Sequence, residues 1–441
     1  MDQLVDRMPG KTSHKAEERG AYSEFLTECR ADITQYTIWY KSHTEPLLRH
    51  APKKGLQLLD VDLKAMAELV HTLVRCYERV GQTAEIPILL DRLRSNIDGP
   101  RWQRKITYFH ALNAALAGGD DDRARSELRK LEPLEEETDV ETLQLYLDLC
   151  GASLTFSKTQ EIVDQILKFT KSDIDRLHYR GVKAMQYFTI GDRLKADQEL
   201  EGAISNFRSS DGASDTSPYV MDILAMSIEF LGSLRLDSLL LDEAIDLYTK
   251  ALALDDWTKA GRAKLLRQLG DAYRHKDAWI EAMGAYTHGQ ETEPSEIVKV
   301  FIVQCLLKLE GWQKAALVMD SIDVSALSNA EYTDYVFAVA LVAAAGADCK
   351  RLHDAERLLR GLDLDIPYFR ECREELLLTI IDTQRTGKSD SMIKRAWMVV
   401  AGIAATANQY VMLEPNVMGL GLRVNRIIDD ITKRSKTNHQ T

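Results

Sequence analysis

The apolar positions of this chain recur with the period of a helix. Tyr22, Phe25, Leu26, Cys29, Ile33, Tyr36, Trp39 and Tyr40 fall on one stripe of an amphipathic helix, and Pro46 is expected to end it. Leu63 to Val80 repeats the pattern and stops at Gly81. No segment alternates apolar and polar residues between hairpin-type turns, so the pattern predicts an all-α chain throughout.

A longer period is superimposed on the helical one. From Ala263 to Pro294 the chain carries Leu266, Leu269-Gly270, Tyr273, Ala282, Tyr286, Gly289 and Pro294. Small residues at Gly270 and Ala282 would let two helices approach closely. The larger ones fill the space around that contact, and Pro294 ends the second helix. A unit starting at Ile297 follows with Leu307, Gly311 and Ala316. One starting at Ala225 has Leu231-Gly232, Ala244 and Tyr248, and one starting at Leu177 has Ala184, Tyr187, Gly191 and Ala196. Looser units begin at Ala67, Lys105, Leu143 and Val336, and the turn formers from Ser209 to Pro218 lengthen one connection.

The unit at Ala263 resembles the tetratricopeptide repeat (TPR), with a large residue at its fourth position, Leu-Gly, Tyr, Ala, an aromatic and a closing Pro in the family's order. The resemblance covers roughly residues 67 to 369 and implies an α-solenoid of about eight helix pairs. Three regions follow from it. Residues 1–66 are an N-terminal helical cap behind a polar, disordered first stretch, 67–369 the solenoid, and 370–441 a C-terminal helical block.

Composition limits the function classes. The 441 residues are 45% hydrophobic and 28% charged, a globular mixture, and 10 Pro with 24 Gly exclude collagen-like or low-complexity sequence. Lys plus Arg number 56 against 68 Asp plus Glu, a formal charge of −12. Because phosphate contacts need Lys and Arg, this balance leads to the expectation of no nucleic-acid partner. The six cysteines have no metal-site spacing and sit among apolar residues. They read as buried thiols of a reducing compartment, and the polar N-terminus lacks a signal-peptide core, so a cytoplasmic location is expected.

Candidate chemistry is sparse. There is no G-x-x-x-x-G-K-[ST] and no H-E-x-x-H, and Gly419-Leu-Gly-Leu422 lacks a preceding strand. Asp120 to Asp122 reads as helix capping, Glu132 to Glu141 as an exposed acidic linker, and Asp354-Ala355 as the opening of a second helix. No catalytic residue, cofactor site or metal site is expected, and the chain reads as no enzyme.

The resemblance directs attention to the concave groove lined by the first helix of each pair. There it places Lys264, Arg267, Asp271, Arg274 and His275, with Lys308 in the next unit. Lys264, Arg267, Arg274, His275 and Lys308 form a basic stripe suited to a carboxylate or an acidic peptide. The carboxylate clamp of some family members, Lys then Asn, is not reproduced, since Arg267 and Asp271, then Phe301 and Cys305, stand in its places. The C-terminal block adds a charge-free run from 396 to 413, interrupted after it by Pro415 and two glycines, and a basic tail at Lys433, Arg434 and Lys436. The expected function is a noncatalytic scaffold or adaptor binding a protein or peptide in the groove. A membrane-responsive effector acting through residues 396–422 is the alternative, and self-association is a further option.

Overall fold

The computed structural model describes residues 85–387, apart from short breaks at 97–99, 118–120, 135–136, 138, 152–153, 255–256, 258 and 365–366, together with 38–44, 46 and 50. The charge-free run at 396–413 and the basic tail lie outside the described residues. Tyr40–Thr44 forms a π-type turn. Pro46 has a helical backbone, and the residues on either side of it, where the expected helix end would fall, lie outside the described residues.

Among the described residues every regular element is helical. The chain divides into two compact units. The first holds α1 (Glu85–Asn96), α2 (Pro100–Ala117), α3 (Asp121–Arg129) and α4 (Val140–Cys150). The second holds α5 (Phe156–Phe169), α6 (Asp173–Thr189), α7 (Arg193–Arg208), α8 (Pro218–Arg235), α9 (Ser238–Leu252), α10 (Lys259–His275) and α11 (Trp279–Thr292). It continues with α12 (Glu296–Leu309), α13 (Trp312–Met319), α14 (Asn329–Gly346), α15 (Cys349–Gly361) and α16 (Pro367–Thr386).

The second unit is an α-solenoid. Helices pack pairwise as α6 with α7, α8 with α9, α10 with α11, α12 with α13 and α14 with α15. First helices also pack on the first helices of neighbouring pairs: α6 on α8, α8 on α10, α12 on α14. The sequence units starting at Leu177, Ala225, Ala263, Ile297 and Val336 each correspond to one such pair. Helix α16 spans the expected boundary at 369/370 and packs on α14 and α15, as α14 packs on α12 and α13.

Local chemistry sets the helix ends. Asp192, Asp237 and Asp348 cap α7, α9 and α15 through their side chains, and Ser328 with Glu331 forms a capping box on α14. Helix α15 therefore opens at Asp348, and Asp354 lies inside it, paired with Arg357. Close approach within a pair, at Gly270, and between neighbouring pairs, at Gly346, depends on missing side chains. A Cβ on Gly270 would stand 2.6 Å from the Tyr286 ring, and one on Gly346 2.9 Å from the Trp312 ring.

The acidic stretch near residue 137 is not an exposed linker. Glu137 bonds Arg104 at 2.7 Å, and Lys105, buried in α2, reaches both Asp139 and Glu141 at 2.9 Å. Burial disfavours the Lys105 ammonium, but the two carboxylates outweigh it and raise its pKa above the usual lysine value. The acids gather here because a buried cation requires counter-charge.

Candidate functional site

Four residues of the basic stripe lie on α10 and Lys308 lies on α12, and the fold encloses Arg274 and His275. Lys264 extends from α10 to Asp222 of α8, 3.1 Å away. Arg274, the penultimate residue of α10, is only 2% exposed. It donates to Gln304 of α12, lies 3.5 Å from Asp271, and has its guanidinium 5.2 Å from the Phe301 ring centre. Burial works against this cation, while Tyr286 and Asp271 draw its pKa upward and outweigh that cost. The hydroxyl of Tyr286, from α11, donates to Asp271.

An equivalent arrangement occupies the preceding pair. Tyr248 of α9 donates to Glu229 of α8 at 2.8 Å. The buried His275 imidazole places Nδ1 3.2 Å from the same carboxylate. Burial first, and then the Arg274 charge, push the imidazole down to about 3, so it is neutral at physiological pH. Asp334 of α14 is also buried, and burial raises its carboxyl well above the ordinary range, with Arg274 pulling back less strongly. The Cys305 thiol is pushed up to about 12 by burial.

The stripe is therefore corrected as a contact surface at two of its five positions. Arg274 and His275 are interior groups that tie α10 to its neighbours, because the first helices of successive pairs pack against one another and enclose the side chains between them. Lys264 and Arg267 are half-buried. Lys308 is exposed, with its ammonium 5.5 Å from the Trp279 ring centre. The repeat pattern singled out Tyr286, and the resemblance placed Asp271 in the groove. Nothing in it pointed to Asp222, Glu229 or Gln304, since a buried polar residue on the inward stripe of a helix interrupts the apolar pattern instead of continuing it.

The described cysteines Cys150, Cys305, Cys349 and Cys372 are free thiols. No helix among the described residues is long and apolar enough to cross a membrane.

No family model matches the chain, and no curated protein does. Solved structures with similar helical architecture include the human IFIT1 dimer with m7Gppp-AAAA, at 15% identity over 90% of this chain and 87% of that one, with a TM-score of 0.46. Yeast Tom70 is similar at 13% identity over 91% and 97%, with a TM-score of 0.30. The C-terminal part of a TPR repeat-containing protein from Cytophaga hutchinsonii matches at 13% over 59% and 97%, with a TM-score of 0.27. The helix-pair packing described above makes the second unit an α-solenoid. The expectation of no nucleic-acid partner is corrected by the IFIT1 structures, which hold capped RNA. Net charge sums over a whole chain, whereas phosphate binding is decided by the local field of one surface.

Proposed function

We propose that the protein is a noncatalytic cytosolic scaffold of the TPR kind that holds a partner protein against its stacked first helices. One observation carries this reading. The ionisable groups gathered on α10 are committed to α8, α11 and α12 and brace successive pairs against one another. A braced stack presents a preorganised surface, which lowers the ordering cost of binding. Arg267 and Lys308 are the accessible remainder of the stripe, and they are the residues assigned to the partner.

The test is an affinity pull-down with mass spectrometry, with and without nuclease. It compares the full chain with the Arg267→Glu, Lys308→Glu double variant. Loss of a captured protein from the variant, at unchanged melting temperature, is the expected result. Undiminished capture removes these two residues from the contact surface. Recovery that disappears on nuclease treatment replaces the protein partner with a nucleic acid.

A further inference from the structure

The connection between α7 and α8 runs from Ser209 to Ser217, nine residues of which six are exposed. Five of them carry hydroxyls: Ser209, Ser210, Ser214, Thr216 and Ser217. Three of these hydroxyls are tied to main-chain carbonyls, Ser209 to Ser205, Ser210 to Phe207 at 2.8 Å and Ser214 to Asp211 at 2.9 Å. Ser217 differs. It is the N-cap residue of α8, yet its side chain caps nothing. At the same position of other helices Thr155, Ser172 and Ser328 each accept a main-chain N–H. The Ser217 hydroxyl has no hydrogen-bond partner among the described residues and is not one of the enclosed polar atoms, so it reaches solvent.

Pro218 follows at the first position of α8. It is the single one of the chain's 10 prolines with a serine or threonine before it. A proline holds the residue in front of it extended, and Ser217 has φ −64° and ψ 150°. Asp215 is extended as well, and its carboxylate accepts the Ser217 N–H at 2.8 Å. An enzyme that modifies a side chain needs an exposed, irregular segment of this kind, which packed helices do not offer. Selection by flanking cations has nothing to hold here, since residues 209 to 234 include no lysine or arginine. The proline is the recognisable feature. The fold also accommodates a phosphate at this place. The first turn of α8 has no acidic side chain and its N–H groups have no side-chain cap, so a dianion would meet the positive end of the helix.

We propose that Ser217 is a phosphorylation site for a proline-directed serine/threonine kinase. The Ser217 Oγ attacks the γ-phosphorus of ATP, the bond from that phosphorus to the bridging oxygen breaks, and ADP leaves with the electron pair. The hydroxyl proton passes to the kinase's catalytic carboxylate. The product carries about two negative charges where the unmodified connection has a neutral hydroxyl.

Incubating the folded full chain with ATP and a mitogen-activated protein kinase tests this, with the phosphate located by peptide mass spectrometry. A synthetic peptide of residues 209–222 is the reference substrate. The folded chain is expected to take one phosphate, on Ser217, at a rate within about tenfold of the peptide's, because no local unfolding is needed to expose the hydroxyl. Ser217→Ala removes the label. Pro218→Ala slows labelling roughly tenfold or more while circular dichroism stays unchanged, since alanine also suits a helix's first turn. A folded chain that falls beyond the tenfold margin would show Ser217 to be sheltered and would overturn the site. A peptide left unlabelled, a label that persists in Ser217→Ala, or undiminished labelling of Pro218→Ala would overturn it as well.

Discussion

Gly270 and Gly284 belong to the same helix pair, yet the same substitution is expected to act oppositely at the two. Gly270→Ala drives a Cβ into the ring of Tyr286, which is buried and held by Asp271, and overpacking of this kind costs about 1–3 kcal/mol. Gly284 has open space around it on α11, so Gly284→Ala stabilises by roughly 0.5–1 kcal/mol through its helix propensity. Urea unfolding of both variants checks the opposite signs. Arg274→Glu would place a carboxylate beside buried Asp271 and leave Gln304 without its donor. Its expected loss of about 3–5 kcal/mol means that charge reversal there reads stability, not partner binding. His275 gives a pH signature. Its folded pKa of about 3 lies below the unfolded value of about 6.5, so the unfolded chain binds the extra proton between them. Stability is full above that range and falls as pH drops through it, by up to about 1.4 kcal/mol per unit. His275→Gln should flatten this part of the melting-temperature profile; an unchanged slope would assign the dependence to other groups.

At the scale of elements, helix caps and turn residues divide the chain into pairs. Asp237→Ala removes the side-chain acceptor for the backbone N–H groups of Leu239 and Leu240, and a loss of about 1 kcal/mol is expected by thermal unfolding. Leu236→Gly, one residue earlier, should add about 1 kcal/mol by relieving the left-handed strain. Opposite shifts from adjacent residues separate capping from strain. Bridges between pairs differ in exposure: Arg351 to Asp320 at 2.8 Å is exposed and screened by salt, whereas Arg235 grips Asp197 at 2.6 Å with both side chains about two-thirds or more covered.

For the whole molecule, the described residues of the second unit carry five complete helix pairs with a braced first-helix face. Arg267→Glu with Lys308→Glu should remove a captured partner without changing the melting temperature, because neither side chain is enclosed between helices.

The sequence by itself determined the helical class and the recurrence of a paired-helix unit, because these depend on local spacing. An apolar stripe, a glycine at a close approach such as Gly270 and an aspartate at a helix start each act within a few residues. Only the tertiary structure decided which of the charged residues are accessible. Arg274, His275 and Lys308 look alike along the chain, but two are enclosed between helices and one stands in solvent. Which acids meet Lys105, and which amide meets Arg274, is likewise a matter of packing between elements up to 36 residues apart, where loop length and helix crossing, not local spacing, bring polar groups together. Burial is a property of neighbours, and a linear pattern names the face of a helix without naming what lies on it.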